Sequence, residues 1–392
     1  MIMMDLHTLS LRLDSLAVFR DLLTDPVFTC LLDYLKQPSV FRYAEFVSRL
    51  YQANRGNLTQ YVREACENAE TPYVKALGTG NPVPQPMHSA LLQELKTMQA
   101  VAELTPGLLA QGMECSDFLP EFATEPLDLA AHYLHRIGHI GRYGYGIFAK
   151  HRMFYLLDSG AIVPVHHADP TRLADLVDYQ RERQLVLQNT QALLEGKPAA
   201  NILLTGDAGT GKSSTVKAVV NELWEQGLRI IEIKKDQLRL LPNLLDELAQ
   251  NPLKFILFID DLSFLKNDDH FSALKAVLEG SVSVKSANVV IYATSNRRHI
   301  VKESFSDREG DDVHRNDTLQ ELVSLSERFG LHITFSKPTK EIYLNIVHHL
   351  AQENGLPVTP ELDLLAERFA LERGNRSARL ARQLIDKLLS GQ

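Results

Sequence analysis

The pattern of apolar positions divides the chain into two parts. In the first ~130 residues, apolar side chains recur at the three-and-four spacing of amphipathic helices, as between Leu9 and Leu23. Pro26, Pro38 and Pro72 interrupt this pattern and predict breaks between helices. We therefore expect an N-terminal region that is mainly helical.

From about residue 169 the pattern changes to alternating helices and strands. Short apolar runs separated by segments long enough for a helix are typical of βα units, in which helices cover both faces of a mostly parallel sheet. The five strand-like runs are residues 201–205, 229–233, 255–259, 289–293 and 331–335. The pattern predicts an α/β core with a parallel five-stranded sheet flanked by helices.

After Pro338 the sequence predicts three further helical segments that form a small terminal bundle. We therefore divide the chain into three regions. Residues 1–165 are predicted to be a mainly helical N-terminal region, residues 166–338 the α/β core, and residues 339–392 the C-terminal helical region.

Composition and charge narrow the classes of protein that fit this pattern. The 392 residues are 45% hydrophobic and 23% charged, as in a globular protein with a sizeable core. With 41 basic and 49 acidic residues the net charge is −8, which excludes a generally basic nucleic-acid coat and leaves local basic patches open.

The sequence also indicates a cellular compartment. Cys30, Cys66 and Cys115 lie far apart without a CxxC spacing, so neither a disulfide framework nor a thiolate zinc site is indicated. The first residues lack the basic and apolar regions of a signal peptide, and no run approaches the roughly 18 apolar residues of a membrane span. We expect a cytoplasmic protein that does not cross a membrane.

The strongest chemical signal is the sequence GDAGTGKS at residues 206–213, which matches the GxxxxGK[ST] pattern in full. A predicted strand precedes it and a predicted helix follows, as a phosphate-binding loop requires. Its glycines allow backbone N–H groups to approach phosphate oxygens closely. Lys212 is expected to reach the β and γ phosphates, and the Ser213 hydroxyl to ligate Mg²⁺. The alternative is a glycine-rich turn with a chance lysine.

Two carboxylates, Asp260 and Asp261, follow the buried strand 255–259. In α/β folds the carboxyl ends of the strands border the crevice in which nucleotides bind. We expect Asp260 to hold Mg²⁺ through its water shell, and Asp261 to orient or deprotonate the attacking water. The alternative for Asp261 is a cap on the following helix.

A third polar tip follows the strand 289–293 and contains Asn296. Its amide offers both a donor and an acceptor, which suits a water molecule held against the γ phosphate. Taken alone, an asparagine after a strand is usually a turn residue. Its position after the first two motifs is what indicates a catalytic role.

In this order the motifs resemble those of an AAA+ ATPase over about residues 170–392. GDAGTGKS corresponds to Walker A, FILFIDD to Walker B and YATSN to sensor 1. LSERFG corresponds to the arginine-finger box, and GNRSAR lies in a C-terminal helical lid. The strings LKAVLEG, YATSNRRH and SLSERFGL also resemble a family of bacterial AAA+ ATPases known only as ATP-binding proteins of unknown function. That family resemblance extends weakly back to about Phe148.

The resemblance makes Asn296 the sensor 1 residue, Arg328 the arginine finger and Arg379 the sensor 2 arginine, with Arg376 as the second choice. Arg328 also has a rationale of its own, because a permanently charged, bidentate guanidinium suits the charge that develops on a γ phosphate. An intramolecular salt bridge is the alternative. Asp261 departs from the Asp-Glu pair of many AAA+ enzymes, and its shorter side chain implies an extra water or slow hydrolysis.

These assignments form three sets of site residues. The residues assigned to nucleotide binding are Gly206, Asp207, Ala208, Gly209, Thr210, Gly211, Lys212, Ser213, Ser214 and Arg379. Those assigned to catalysis are Lys212, Asp261, Asn296 and Arg328, and those assigned to Mg²⁺ are Ser213 and Asp260. The resemblance further implies that Leu176, Val177 and Tyr179 lie near the adenine.

Other signals are weaker. His132, His135 and His139 share a helical face, but no Cys or carboxylate nearby completes a metal-ligand set, so a histidine-bearing helix end is the preferred interpretation. A nucleic-acid role for the basic residues Lys234, Lys235, Arg297 and Arg298 competes with a solvated rim, because no aromatic partner accompanies them. The mixed-charge segment 303–317 predicts a loop near a subunit interface.

The sequence therefore predicts an ATPase that requires ATP and Mg²⁺, forms a homo-oligomer, and remodels or regulates a protein or nucleoprotein bound through its N-terminal region. The alternative is an ATP-gated scaffold whose hydrolysis is slow or incidental. A small-molecule kinase fits less well, because sensor 1, finger and lid arginine follow in AAA+ order. A threading unfoldase is disfavoured, because the loop after the second strand, KKDQL, lacks an aromatic residue and a glycine.

Overall fold

The computed structural model describes residues 5–111, 113, 117–262, 269–279, 287–296 and 327–391. The chain divides into two compact units, residues 1–150 and residues 151–392. Each unit has a buried apolar core of its own. Tyr34 and Leu95 belong to the first core, and Ile202 and Phe258 belong to the second.

Helices dominate the first unit, in agreement with the apolar periodicity of its sequence. Their bounds are α1 Leu6–Asp14, α2 Pro26–Lys36, α3 Val40–Asn54, α4 Leu58–Asn68, α5 Pro72–Gly78, α6 Gln85–Ala102, α7 Pro106–Leu109, α8 Leu129–Gly138, α9 Ile140–Tyr143 and α10 Ile147–Lys150. A 3-10 helix, Arg20–Thr24, lies between α1 and α2.

Two of the prolines that interrupt the pattern begin helices. Pro26 is the first residue of α2 and Pro72 the first of α5, where the missing N–H is one of the donors that a helix start leaves unpaired. The Asp25 carboxylate caps α2 by accepting hydrogen bonds from the N–H groups of Val27 and Phe28. The helix boundary therefore lies immediately before the proline.

A buried carboxylate joins the chain after α1 to α6. Glu94, on α6, is 7% exposed, and its two oxygens accept hydrogen bonds from the backbone N–H groups of Ala17, Val18 and Phe19. The donor–acceptor distances are 2.8–3.1 Å. Because Val18 and Phe19 are themselves buried, their donors would otherwise lack partners. Glu94 thus provides acceptors for three consecutive backbone donors in the chain after α1.

Replacing Glu94 by alanine should lower the unfolding free energy of the first unit by about 3 kcal/mol, because buried donors lose a charged acceptor. Glu94→Gln keeps one acceptor oxygen and should cost less. Urea unfolding of the full chain, with amide hydrogen exchange at residues 17–19, measures both effects. Glu103→Ala removes an exposed carboxylate just beyond the same helix and is the control. An effect of Glu94→Ala no larger than that of Glu103→Ala would contradict this role.

The second unit is built on a seven-stranded sheet. Its strands are β1 Met153–Leu156, β2 Ile162–Pro164, β3 Ile202–Gly206, β4 Leu228–Glu232, β5 Lys254–Ile259, β6 Val289–Ser295 and β7 Leu331–Phe335. They lie in the order β2-β1-β4-β5-β6-β3-β7, and β1 with β2 is the antiparallel pair in an otherwise parallel sheet. The prediction of an α/β fold is confirmed.

The prediction of five parallel strands is wrong in the number of strands and in the direction of one edge strand. All five predicted strands are present, and β1 with β2 adds a hairpin beside β4. The two additional strands have four and three residues, which is too short for an alternating pattern to stand out in the sequence. Both lie before residue 166, where the α/β core was predicted to begin.

Helices flank the sheet and follow it. Those before the last strand are α11 Gln180–Leu194, α12 Lys212–Leu223, α13 Leu241–Ala249 and α14 Asp269–Glu279, with 3-10 helices at Leu173–Asp175, Trp224–Gln226 and Lys235–Leu240. The helices after β7 are α15 Lys340–Glu353, α16 Pro360–Glu372 and α17 Ala378–Leu389. These last three share a core that includes Tyr343, Ala366 and Leu384. Across the described ranges, no helix has the length and apolarity needed to cross a membrane.

The three neighbouring strands β3, β6 and β5 are parallel, so their carboxyl ends lie together at one end of the sheet. β6 lies between the other two strands, with Ala293 opposite Ile259 of β5 and Thr294 opposite Leu204 of β3. The GDAGTGKS loop, the acidic pair and Asn296 follow these three strand ends. Parallel pairing therefore collects segments that are far apart in the sequence.

Candidate functional site

Glycines shape the loop between β3 and α12. Gly206 has a φ of +143°, and a Cβ built on it would lie 2.1 Å from the carbonyl oxygen of Phe335 on β7. Gly211, with a φ of +91°, directly precedes α12. Such backbone conformations are open to glycine and costly for other residues. The loop thus directs the amino end of α12, which carries a partial positive charge, toward the carboxyl edge of the sheet.

Lys212 is buried, and its amine is held within the loop. Nζ donates to the carbonyl oxygens of Gly206 and Asp207, each at 2.8 Å, and to Oδ1 of Asn296 at 3.1 Å. Burial lowers the pKa of Lys212 below its ordinary value, and nearby carboxylates, Asp260 foremost, act in the opposite direction. An anionic phosphate beside this amine would add to the carboxylates' effect and favour its charged form.

Asp260 connects the end of β5 to the start of α12. Its Oδ1 accepts hydrogen bonds from the hydroxyl of Ser213 at 2.6 Å and from the hydroxyl of Thr294 at 2.5 Å. A hydroxyl and a carboxylate oxygen side by side are hard donors of the kind that Mg²⁺ takes together with phosphate oxygens and water. Within the described residues, no group of three or more His, Cys, Asp or Glu side chains could hold a metal. Ser213 and Asp260 together fit a Mg²⁺ ion that would take its other ligands from phosphate oxygens and water.

Asp261 has a left-handed backbone conformation, with a φ of +53°. Its N–H donates to Oγ1 of Thr294 at 2.9 Å, and its Oδ1 accepts from Nδ2 of Asn296 at 2.7 Å. Asn296 thus connects Asp261 to Lys212, since its amide donates to the first and accepts from the second. The alternative interpretation of Asp261 as a helix cap concerns residues 263–268, which lie outside the described part of the chain.

Most of the predicted phosphate and magnesium residues line one cleft of about 360 Å³. Its walls are formed by Ala208, Gly209, Gly211, Lys212, Ser213, Ser214, Asp260, Asp261, Thr294, Asn296 and Arg379. Of the remaining loop residues, Gly206 and Asp207 offer their carbonyl oxygens to Lys212, and Thr210 lines a neighbouring cavity. The Thr210 hydroxyl donates to the carbonyl oxygen of Asp207 at 2.9 Å.

A second cavity, of about 590 Å³, adjoins this cleft. The residues common to the two linings are Gly209, Gly211, Ser214 and Arg379. Leu176, Val177 and Tyr179, which the sequence associates with adenine, lie in its walls beside Phe335. The ring centroids of Tyr179 and Phe335 are 5.3 Å apart. Charged side chains, among them Asp175 and Glu353, also line this cavity, so apolar and polar groups are both available to a ligand that extends from the cleft.

The two candidate lid arginines have different surroundings. Arg379 lies at the start of α17 and lines both cavities. Arg376 instead forms a two-point ion pair with Glu367, with nitrogen–oxygen distances of 3.2 and 3.0 Å. The same carboxylate lies 3.6 Å from the amine of Lys340. Arg376 is therefore engaged within the terminal helices, and Arg379 faces the nucleotide-sized space.

Arg328 lies at the end of the sheet where the strands begin, opposite to the end that carries the phosphate loop of its own chain. β7 runs parallel to β3, with Leu331 opposite Ile202 and Phe335 opposite Gly206. The phosphate loop begins at the carboxyl end of β3, whereas Arg328 precedes the amino end of β7. The length of β7 alone separates these two edges by about 13 Å. Arg328 is accordingly not among the described residues that line either cavity.

Several residues singled out by the sequence lie outside the described part of the chain or have contacts unrelated to the cleft. The candidate basic residues Arg297 and Arg298, the segment 303–317 and Cys115 lie outside the described residues. Of the three histidines, His132 is paired with Glu67, with a nitrogen–oxygen distance of 2.6 Å. The ring of His139 lies 2.9 Å from the carbonyl oxygen of His135. These contacts account for the histidine-bearing helix end without a ligand.

Several residues of the site had no role assigned from the sequence, among them Thr294, Asp169 and Arg382. Thr294 contacts both acidic residues, although sequence reasoning gave it no role. A hydroxyl next to the end of an apolar strand, in the same motif as Asn296, was the available signal. Asp169 and Arg382 line the second cavity, and they carried no recognisable motif.

Comparison with known proteins identifies a family. A family model described as "Protein of unknown function (DUF815)" matches residues 149–392. The chain belongs to this family. The DUF815 region begins close to the start of the second compact unit and contains every residue of the two cavities. No curated protein matches the sequence.

Solved structures give a more distant likeness. Thermotoga maritima RuvB, a Holliday junction branch migration motor, matches with a TM-score of 0.38 and 16% identity, over 56% of this chain and 64% of RuvB. Two single-residue variants of that RuvB match with the same TM-score at 16% and 15% identity. The chain thus spans less than two thirds of the RuvB structures that it matches. A likeness at this level assigns no function to the DUF815 chain.

Replacing Lys212 by alanine should abolish detectable ATP binding, a loss of at least about 100-fold, because it removes the buried cation aimed at the phosphates. Isothermal titration calorimetry measures the affinity. Lys217→Ala is the matched control, since Lys217 lies on the same helix and outside both cavity linings. Unchanged affinity in Lys212→Ala would refute the phosphate-loop assignment.

Proposed function

We propose that this DUF815 protein is a Mg²⁺-dependent AAA+ ATPase that hydrolyses ATP to ADP and phosphate within a homo-oligomer. The observation that carries the proposal is the meeting of Lys212, Ser213, Asp260, Asp261 and Asn296 in one cleft. These residues come from three strand ends and supply a cation, a hydroxyl, two carboxylates and an amide. That set corresponds to the needs of phosphoryl transfer to water.

The loop and Lys212 bind the phosphates. Backbone N–H groups at the amino end of α12 donate to phosphate oxygens, and Lys212 exchanges its bonds with the Gly206 and Asp207 carbonyls for bonds with the β and γ phosphates. The nucleoside extends into the cavity bordered by Val177 and Tyr179. Arg379, which borders both spaces, contacts the phosphates from the terminal helices, which act as a lid.

Ser213 and Asp260 hold Mg²⁺. Bound there, the ion supplies positive charge that offsets the negative charge developing on the phosphate oxygens. The 2.6 Å contact between the two side chains supports this role, because it places the hydroxyl and carboxylate oxygens side by side, as two ligands of one ion would be.

Asp261 and Asn296 act on the attacking water. The water oxygen forms a bond to the γ phosphorus as the bond to the β–γ bridging oxygen breaks, and its proton passes to the Asp261 carboxylate. Once Lys212 turns to the phosphates, Oδ1 of Asn296 no longer accepts from it and accepts from the water instead. Asn296 thereby links occupation of the phosphate site to placement of the water.

Asp261→Asn should retain Mg·ATP binding and lower turnover by about 10²- to 10⁴-fold, because the amide keeps the shape of the side chain and loses its basicity. Asp260→Asn should instead remove a magnesium ligand, so that added Mg²⁺ has less effect and nucleotide binds more weakly. Steady-state phosphate release and calorimetry distinguish the two variants. If Asp261→Asn turned over at the parental rate, Asp261 would not be the base.

Oligomeric assembly would complete the site through Arg328. The position of Arg328 at the far edge of the sheet supports a role across a subunit interface, because its own phosphate loop lies beyond the length of β7. A guanidinium that enters the neighbouring site stabilises charge that is larger in the transition state than in bound ATP.

Arg328→Ala should bind ATP nearly normally and lose hydrolysis by roughly 10³- to 10⁵-fold, the range for arginine fingers supplied in trans. Lys212→Ala should be as inactive for a different reason. An equimolar mixture of the two variants should recover part of the activity, because some interfaces pair an intact Lys212 site with an intact Arg328. Phosphate release is measured for each variant and for the mixture. No recovery from verified hetero-oligomers would argue that Arg328 acts within its own chain.

The competing function is an ATP-gated scaffold with slow or incidental hydrolysis. Asp261 favours it, because a carboxylate one methylene shorter than glutamate reaches less far toward the water. Steady-state ATPase activity combined with size analysis, with and without ATP, separates the two. A motor turns over ATP at a steady rate, whereas a scaffold changes assembly on binding ATP and turns over little.

Residues outside the DUF815 match supply the partner-binding region in this proposal. Residues 1–148 form most of a separate helical unit, and they suit capture of a cytoplasmic protein or nucleoprotein that ATP hydrolysis remodels or regulates. Affinity capture with the full chain and ATP tests this, with Lys212→Ala as the control. A genuine partner should be lost or gained when nucleotide binding is removed.

A further inference from the structure

The Thr294 hydroxyl touches both acidic residues at the edge of the sheet. Thr294 is 2% exposed. Its Oγ1 accepts a hydrogen bond from the N–H of Asp261 at 2.9 Å and lies 2.5 Å from Oδ1 of Asp260. A hydroxyl has one proton, and the Asp261 N–H occupies a lone pair of the oxygen. The proton of Thr294 is therefore directed to the Asp260 carboxylate.

Thr294 also accepts hydrogen bonds from the backbone just after β5, where the pairing between β5 and β6 ends. The parallel ladder between β5 and β6 ends with Ile259 opposite Ala293, one residue before the acids and one before Thr294. Beyond this point, the carbonyl oxygen of Thr294 accepts from the N–H of Leu262 at 2.7 Å. One residue of β6 thus holds the backbone N–H groups of both residues that follow Asp260.

This pairing determines the backbone of the acidic turn. Asp261 adopts a left-handed conformation that is uncommon for a residue other than glycine, and such a conformation persists where its surroundings over-determine it. The N–H of Asp261 and the N–H of Leu262 are both anchored on Thr294. The Asp261 carboxylate is then directed to Asn296.

We propose that Thr294 is a positioning residue that sets Asp260 for Mg²⁺ and Asp261 for water through its one hydroxyl. The inference rests on the proposed ATPase function, and it assigns to Thr294 the orientation of both acidic residues. Asp260 Oδ1 receives hydroxyls from two directions, Ser213 on the loop helix and Thr294 on β6, and the carboxylate is held between them. Partners of this kind that orient metal-binding carboxylates are worth about 10- to 100-fold in metal affinity or activity.

Thr294→Val tests the inference, because valine keeps the branched shape and removes the hydroxyl. Turnover at saturating Mg·ATP should fall by about 10- to 100-fold, and half-maximal activity should require about 10-fold more Mg²⁺. Nucleotide affinity measured without Mg²⁺ should stay within about 2-fold of the parent, because Lys212 and the loop are unchanged. Thr294→Ser restores the hydroxyl and should recover turnover and Mg²⁺ dependence to within about 3-fold.

Thr190→Val is the matched control. Thr190 is also fully buried, and its hydroxyl lies 2.8 Å from the Tyr292 hydroxyl on the same strand β6, away from both acids. It should lose comparable stability and keep the parental Mg²⁺ dependence. Thr294→Ala removes the same hydroxyl with a smaller side chain and replaces Thr294→Val if the valine variant does not fold.

Parental turnover and Mg²⁺ dependence in a folded variant without the hydroxyl would overturn the inference. Equal damage in Thr294→Ser would also overturn it, because packing of the methyl group would then be what matters. The parent chain tests the proposed function separately: if it binds no Mg·ATP, both the function and the inference fail. If it binds Mg·ATP without turnover, the gain in nucleotide affinity on adding Mg²⁺ is the readout, and loss of the hydroxyl should reduce that gain about 10-fold.

Discussion

The register of three parallel strands is the constraint on which the arrangement of the site depends. The hydrogen bond between Ser213 and Asp260 is one result of it. It joins the start of α12 to the end of β5, although β5 and β3 are separated by β6. The bond can form only because three parallel strands end in register at one edge, and a one-residue slip would turn every side chain of a strand to the other face. Fully buried residues such as Ile202, Phe258 and Tyr292 hold that register. The chemistry at the edge is thus a consequence of apolar packing within the sheet.

The polar groups of the site satisfy one another. Side-chain hydrogen bonds connect Lys212, Asn296 and Asp261 in one series and Ser213, Asp260 and Thr294 in another. The N–H of Asp261 joins the two series by donating to the Thr294 hydroxyl. A buried amine is costly without partners, and two loop carbonyls and nearby carboxylates offset that cost. Nucleotide binding would therefore exchange existing hydrogen bonds for new ones, and the exchange at Lys212 would pass directly to Asn296. The hydrogen bonds that stabilise the site are therefore the same ones that a bound nucleotide would rearrange.

Features carried by contiguous sequence were predictable, and features set by register were not. The loop around Lys212 and the acids after β5 could be identified because their chemistry requires neighbouring residues in a fixed order. The hairpin Met153–Leu156 and Ile162–Pro164 was missed because strands so short leave no periodic pattern. Its first strand pairs with β4 and its second strand pairs only with the first. Thr294 was missed because its role depends on lying opposite the end of another strand. The sequence resemblance ranked Arg379 ahead of Arg376, and the ion pair between Arg376 and Glu367, which spacing does not reveal, adds a physical reason for that order.

The aspartate at position 261 also follows from the backbone. Aspartate and asparagine tolerate the left-handed conformation better than other residues with a Cβ, because their short polar side chains form local hydrogen bonds. Asp261 has this conformation, and its carboxylate also accepts a hydrogen bond from the side chain of Asn296, which follows another strand. A longer glutamate would lose that advantage at the point where the turn is anchored on Thr294. The carboxylate that departs from the common Asp-Glu pair is therefore matched to the geometry of this turn, and its shorter reach accompanies a backbone that directs it into the cleft.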